Sequence, residues 1–267
     1  DRHEYIKNVK SIKENIQHGN IYEMNYCVDF VGTFKSFNAK TTYQSLANNT
    51  NAPFSAYLQL NDTIILSGSP ERYIKRLADT LISQPIKGTA KRGATVKEDV
   101  LIKNELEQNV KEIAENVMIV DLVRNDLSKI AQKNTVEVTE LCKTYSFKTV
   151  HQLISTITCK LKDKVILPEI LQASFPMGSM TGAPKVSAMQ YIDAFENFNR
   201  GIYSGTIGYI DPNGNFDLNV VIRTLTANMK EKTLQCGVGG AITIKSDPEK
   251  EYDECLLKLN AIQNALC

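Results

Sequence analysis

Histidine is scarce in this chain: His3, His18 and His151 are the only three in 267 residues. A histidine-rich metal centre has few ligands to draw on, and a Ser-His-Asp hydrolase could use only these three. An excess of one charge is missing as well. Lys and Arg together number 31 and Asp and Glu 30, a net charge of +1, whereas nucleic-acid binders show a basic excess. Disordered chains combine high net charge with few apolar residues, and 42% apolar content argues against that. No run approaches the ~20 apolar residues of a membrane span. The opening DRHEYIKNVK lacks the apolar stretch of a signal peptide. The six cysteines (Cys27, Cys142, Cys159, Cys236, Cys255 and Cys267) form no CxxC pair, so the close ligand spacing of a zinc site is absent. Disulfide frameworks belong to small secreted chains, and the expectation is six reduced thiols in a cytosolic protein.

The length allows one or two domains at ~150 residues each, with a sizeable core. Ile6, Val9, Ile12 and Ile16 predict a helix over 4–17, ended by His18-Gly19-Asn20. Residues 21–34, rich in Tyr, Val and Phe, predict a strand, and 40–48 a short helix. Strands follow over 55–60, 63–67, 73–77 and 80–86, with Asn61-Asp62 as a hairpin turn. One long helix is predicted over 97–131. Its segment Val117-Met118-Ile119-Val120-Asp121-Leu122-Val123 is apolar nearly all round, the mark of a buried helix. Strands are predicted at 135–141 and 145–160, a helix near 167–173, and another opened by Pro184 at its first position. Then come strands at 202–211, 216–228 and 232–244, a turn at Asp211-Pro212-Asn213-Gly214, and a last helix over 248–266. Runs of strands separated by helices point to an antiparallel α+β fold. No repeat or linker interrupts the chain, which predicts one domain over 1–267.

Several stretches offer chemistry, each beside a plainer reading. Phe175 to Lys185, FPMGSMTGAPK, puts small residues and Lys185 at a helix start, where backbone N–H groups suit an anion; an ordinary capped turn is the alternative. Gly237, Gly239 and Gly240 lie inside a strand pattern and mark either a bulge or a close approach by a ligand. Glu251, Glu254 and Lys258 share one helix stripe, which a solvated face would equally explain. Glu115 sits at the edge of the apolar helix, where a buried carboxylate needs a partner or a metal, and hard oxygen ligands suit magnesium. Asp121, Arg124 and Asp126 read as a structural ion-pair network. Lys87 closes a β-type run and is either exposed or a desolvated nucleophile. Glu71 lies in the turn Ser69-Pro70-Glu71-Arg72, with a surface salt bridge as the alternative. Arg223 ends a buried strand and needs an anion. His151 reads as a core histidine.

Together these segments resemble the chorismate-utilising enzymes: anthranilate synthase component I, aminodeoxychorismate synthase component I, isochorismate synthase and salicylate synthase. The matching stretches are GNIYEMNY at 19–26, SPERY at 69–73, PIKGTAKRG at 85–93 and ENVMIVDLVRNDLSKIA at 115–131. They continue with FPMGSMTGAPKVSAMQYID at 175–193, YSGTIGYI at 203–210, NVVIRTL at 219–225, CGVGGAI at 236–242 and EYDECLLK at 251–258. The resemblance implies an α+β domain of two orthogonally packed, largely antiparallel sheets flanked by helices, binding magnesium and chorismate. By motif, Glu115 and Glu254, with Glu251 beside them, would hold the metal against the ring carboxylate. Arg223, helped by Tyr209, would take the enolpyruvyl carboxylate, with backbone donors around Gly237, Gly239 and Gly240. Thr181, Lys185 and Lys258 complete the implied substrate contacts, and His151 matches a family histidine near the ring.

Lys87 in PIKGT resembles the aminodeoxychorismate branch, where anthranilate synthases typically carry alanine. That branch implies a covalent route to 4-amino-4-deoxychorismate, on the way to para-aminobenzoate and folate. Lys87 attacks ring C2, Glu71 assists loss of the C4 hydroxyl, and ammonia enters at C4. The early strand around Glu23 has no lysine, which disfavours the water-activating isochorismate and salicylate synthases, and Glu23 stands where aminating relatives usually carry glutamine. No glutaminase signature surrounds any cysteine, so a separate glutamine amidotransferase subunit is the expected ammonia source. Only 18 residues precede Gly19, so most of the family's N-terminal region and any complete tryptophan site are expected to be absent. Anthranilate formation and a catalytically silent chorismate binder are the competing expectations.

Overall fold

In the computed structural model, which describes residues 1–148 and 150–266, the first helix is α1 (Arg2–Gln17), capped by the Asp1 carboxylate on the His3 N–H. Tyr5, Val9 and Ile12 form its buried stripe, the i, i+4, i+7 spacing of one helical face. Next come β1 (Glu23–Thr33), α2 (Ala39–Thr50), β2 (Phe54–Leu60), β3 (Thr63–Ser69), β4 (Arg72–Leu77), β5 (Thr80–Gln84) and β6 (Ile86–Lys91). The strand predicted over 80–86 stops at Pro85, which has no N–H for the ladder, and β6 starts afresh. The single helix predicted over 97–131 is two, α3 (Val96–Glu107) and α4 (Val110–Ser128). Between them Asn109 turns extended, and its side chain accepts from the Lys111 and Glu112 N–H groups. A short polar side chain thereby competes with the helix and caps a new one. Nor is α4 buried all round: Val117 and Asp121 are exposed, whereas Glu115, Asn116, Ile119 and Val120 face inward.

The chain continues through β7 (Glu137–Ser146), β8 (Val150–Lys160), α5 (Leu167–Ser174), β9 (Gly182–Ala183), α6 (Lys185–Phe195) and β10 (Gly208–Ile210). It closes with β11 (Phe216–Asn219), β12 (Thr224–Asn228), β13 (Thr233–Ile242) and α7 (Pro248–Leu266). Pro184 is the N-cap of α6, not its first helical residue. The strand predicted over 202–211 shortens to β10, and the one predicted over 216–228 is interrupted at 220–223, where Arg223 adopts φ +52°.

The strands form a six-stranded sheet in the order β2-β3-β12-β13-β1-β9 and a seven-stranded sheet, β10-β11-β4-β5-β8-β6 with β7 on β8. β1 pairs antiparallel with β13 over ten residues, and β8 antiparallel with β5, β6 and β7. The α+β expectation holds. The chain divides into two compact units, the first made of 1–71, 180–208 and 219–267, the second of 72–179 and 209–218. In the first, Tyr5, Val9 and Ile12 of α1, Leu46 of α2, Leu66, Val238 and Ile242 of the sheet, and Cys255, Leu259 and Ile262 of α7 form one cluster. Each such large side chain contributes about 1.5–3 kcal/mol by leaving water. In the second, α3 and α4 lie on β6, β7 and β8, burying Ile119, Leu127, Leu153 and Ile157. Cys27, Cys142, Cys159, Cys236 and Cys255 are free thiols; Cys267 lies outside the described residues. Among the described residues no helix is long and apolar enough to cross a membrane.

Candidate active site

In the first unit, the site grows out of the place where β12 and β13 part. Their pairing ends at Thr226 opposite Gln235, while β13 runs on beside β1 to Ile242. No register shift interrupts that ladder, so Gly237, Gly239 and Gly240 do not form the bulge that glycines in a strand suggested. They permit close approach instead. A Cβ on Gly237 would sit 2.5 Å from the Tyr203 ring, and one on Gly239 would sit 2.5 Å from both Cys27 Sγ and Tyr26 O. Past the last pair of β12, Arg223 takes its left-handed backbone conformation, and its carbonyl is held by the Gly68 N–H at 3.0 Å. Among the described residues no hydrogen bond or ion pair reaches its guanidinium. Burial pulls that group below its ordinary value, against the charges of Tyr203, Glu254 and Cys236, and a guanidinium stays protonated regardless.

The C-terminal helix brings the acidic stripe over the same strand. Glu251 is buried and Lys258 Nζ lies 2.7 Å from Glu254 Oε1 and 2.7 Å from the Gly239 carbonyl. A Cβ on Gly240 would meet Glu251 Oε2 at 3.5 Å, Lys258 Nζ at 3.6 Å and Glu254 Oε1 at 4.0 Å. The stripe is therefore no purely solvated face. The three groups converge on a hollow that exists because residue 240 has no side chain. Among the described residues no group of three or more His, Cys, Asp and Glu side chains could hold a metal alone. Two carboxylates at this hollow do fit magnesium, which commonly takes one or two carboxylates and fills its other positions with water or substrate oxygens.

Glu71 belongs to this unit and is buried. Its carbonyl accepts from the Val220 N–H at 3.0 Å, and the neighbouring Ser69 Oγ donates to Val220 O at 2.6 Å. These bonds tie the turn to the stretch that leads into Arg223. Beside this turn Arg72 grips Asp217 through two bonds of 2.8 and 2.9 Å within the second unit. The glycine-rich segment before α6 is buried from Met177 to Ala183, not open as a capped surface turn would be. The Thr181 and Ala183 carbonyls accept from the Asn25 and Tyr22 N–H groups, and Lys185 begins α6, partly exposed.

In the second unit, Lys87 is partly buried on β6 at an irregularity in its pairing with β8, between Ile86 and Thr89. Gly88 makes that irregularity possible with φ +88°, and it packs against Leu153 and Glu112. Glu115 is buried on α4, with Lys111 Nζ 3.7 Å from its Oε1. His151 is buried with both ring nitrogens engaged: Nδ1 meets Ser146 Oγ at 2.8 Å and Nε2 meets Asp99 Oδ1 at 2.9 Å. That is the satisfied core histidine of the residue-level reading, and neither nitrogen is left over for a substrate. Tyr209 stands 66% exposed on β10. Of the predicted Asp121, Arg124 and Asp126 network, Arg124 pairs with Asp121 at 2.8 Å, and Lys129 pairs with Asp126 at 3.0 Å.

Sequence reasoning missed Tyr203, the ring that fills the space left by Gly237. Its hydroxyl lies 3.5 Å from Cys27 Sγ, and burial raises its phenol well above the usual value. The signal available was an aromatic residue in YSGTIGYI separated by more than thirty positions from Gly237, and no periodicity links such distant positions.

Residues 1–264 match the family described as chorismate binding enzyme. The chain is 41% identical over 270 residues to the chloroplastic aminodeoxychorismate synthase of Arabidopsis thaliana, covering 99% of this chain and 29% of that one. It is 39% identical over 265 residues to aminodeoxychorismate synthase component 1 of Escherichia coli, covering 99% of this chain and 58% of that one. The chain thus spans less than two thirds of either relative. Among solved structures, anthranilate synthase component I from Streptococcus pneumoniae superposes with a TM-score of 0.89 at 27% identity, covering 98% of this chain and 57% of that one. The menaquinone-specific isochorismate synthase of Escherichia coli does so with a TM-score of 0.88 at 21% identity over 100% of this chain and 61% of that one; that likeness concerns the fold.

Proposed function

The chain belongs to the chorismate-binding enzyme family, and from that premise we propose that it converts chorismate and ammonia to 4-amino-4-deoxychorismate and water, the step toward para-aminobenzoate and folate. The observation that carries the reading is the Arg223 guanidinium, a desolvated cation with no partner among the described residues, beside carboxylates suited to a divalent ion. A dianionic substrate suits such a pair: one carboxylate for the arginine, the other for a metal. The carboxylates proposed for magnesium are Glu115, Glu251 and Glu254. The bound ion would neutralise the ring carboxylate. The strand of Gly237, Gly239 and Gly240, with Lys258, Thr181 and Lys185, is proposed to line the substrate, and Tyr209 to assist Arg223. His151, whose ring nitrogens are both engaged, is proposed to act through Asp99.

Lys87 is the proposed nucleophile. Its neutral amine adds to ring C2, the ring double bond shifts, and the C4 hydroxyl departs as water with a proton from Glu71. Ammonia then adds at C4, the double bond returns, and the Lys87 nitrogen leaves C2. The 38–45% identity to aminodeoxychorismate synthases supports this branch. A separate glutamine amidotransferase subunit is the proposed ammonia donor, supported by relatives named as component 1. A cytoplasmic setting is proposed on the strength of the free thiols.

The test is chromatographic identification of the product from chorismate, magnesium and ammonium. Aminodeoxychorismate is expected, and Lys87→Ala should lower its formation about a hundredfold or more, the scale of losing a group that takes part in the bond changes. Anthranilate and pyruvate as products, or an unaffected Lys87→Ala enzyme, would overturn the reading.

A further inference from the structure

Ser155 sits in the middle of an apolar stretch of β8 and is completely buried. A buried hydroxyl without hydrogen bonds is costly, yet this one is bonded on every side. Its Oγ donates to Asn116 Oδ1 at 2.5 Å and accepts from the Cys142 N–H at 2.8 Å. Its own N–H donates to the Pro85 carbonyl at 3.2 Å. Asn116, also completely buried, uses its Nδ2 to donate to the Leu153 carbonyl at 3.2 Å. The Cys142 end is held in a left-handed conformation, φ +49°, at a register shift of β7.

These bonds lead to two residues that matter. Asn116 immediately follows Glu115 on α4. Pro85 stands two residues before Lys87, and the Leu153 side chain packs against Gly88 on the other side of that lysine. The buried hydroxyl and the buried amide thus pin α4 to β7 and β8, while the main-chain N–H of Ser155 holds Pro85 just ahead of β6. An aliphatic pair of similar size would fill the same space, and it would leave the rotation of α4 set only by non-directional packing. Hydrogen bonds in a low-dielectric interior fix direction as well as distance.

We propose that Ser155 and Asn116 are positioning residues that set the Glu115 carboxylate, although neither reaches substrate or metal. This rests on the role given above to Glu115 and extends it to the residues that hold it.

The pair to compare is Ser155→Ala and Ser155→Thr. Removing a residue that orients a ligand typically weakens metal binding or activity by about 10–100-fold. Ser155→Ala should raise the half-saturating magnesium concentration and the Mn2+ dissociation constant by about tenfold or more. The Mn2+ measurement reads the loss of the free-ion EPR signal with chorismate present. Ser155→Thr keeps the hydroxyl and should restore both values. KM for chorismate at saturating magnesium should move little. If Ser155→Ala fails to fold, Asn116→Asp keeps the acceptor for Ser155 but sets an oxygen against the Leu153 carbonyl, and the same shifts are expected. A folded Ser155→Ala or Asn116→Asp protein with wild-type magnesium midpoint, Mn2+ affinity and kcat overturns the proposal. So does equal impairment of the Ala and Thr variants with an unchanged metal midpoint. A wild-type enzyme that neither needs magnesium nor binds Mn2+ would instead overturn the magnesium reading, and this proposal with it.

Discussion

Gly237, Gly239 and Gly240 are adjacent on one strand, yet a methyl group would meet something different at each. At Gly237 it would strike the face of Tyr203, and at Gly239 the Cys27 sulfur together with the backbone of β1. Neither neighbour is the free end of a flexible chain, so alanine at either position overpacks a filled interior, at about 1–3 kcal/mol. At Gly240 the nearest atom would lie at 3.5 Å, an ordinary contact, and the methyl would enter the hollow facing Glu251, Glu254 and Lys258. Thermal melts should therefore separate the variants, with Gly237→Ala and Gly239→Ala losing stability and Gly240→Ala melting like wild type. Magnesium titrations should reverse the order, Gly240→Ala needing more metal for half-maximal rate. A destabilised Gly240→Ala protein, or one with an unaltered metal midpoint, would show that the hollow is not where the ion acts. The sequence marked all three glycines for attention. It could not rank them, because the ranking depends on Tyr203 and Cys27, brought in by other elements.

The segment after β6 is held to the start of α3 by a clasp of charges. Arg92 binds both Asp99 oxygens at 2.7 and 2.6 Å, the Gly93 N–H adds a bond at 2.9 Å, and His151 adds another at 2.9 Å. Arg92 above all, with the Gly93 and His151 bonds, holds the Asp99 carboxyl well below the usual carboxylate range. A carboxyl whose folded value is depressed contributes stability above its unfolded value, ~4, and loses that contribution as pH falls toward the folded value. Denaturant unfolding should accordingly find Asp99→Asn less stable than wild type at pH 6, with the gap narrowing below about pH 4. A gap that stays constant down to pH 3 would mean that the clasp is not electrostatic. The element that carries this clasp was legible in sequence as helix, but its limits were not. Asn109 read as one more polar residue in a long helical pattern, and only its side-chain bonds to Lys111 and Glu112 show that the helix starts again there. That restart places Glu115 in the second turn of a new helix.

The two compact units are interleaved along the chain, which passes between them near residues 71, 179, 208 and 218. Neither can form from one continuous segment, so a single cooperative unfolding transition is expected. The thiols report on it. Burial pushes Cys27 and Cys236 of the first unit up to about 12 and Cys159 of the second up to about 11. At neutral pH the reactive thiolate is therefore scarce in the folded state. Thiol labelling along a denaturant series should give Cys27, Cys236 and Cys159 one common midpoint, with partly exposed Cys142 labelled earlier. Separate midpoints for Cys27 and Cys159 would show that the units unfold independently. The sequence by itself determined the family, the α+β class and the residue types of the chemistry, because motif spacing, hydrophobic period and turn residues are local and survive being read in a line. Only the tertiary structure decided that the glycine strand runs without a bulge, that His151 is fully engaged, that Arg223 has no partner among the described residues, and that Ser155 links α4 to β7. Each of these depends on which side chain from a distant segment fills a given space or meets a given donor, and no local pattern encodes that pairing.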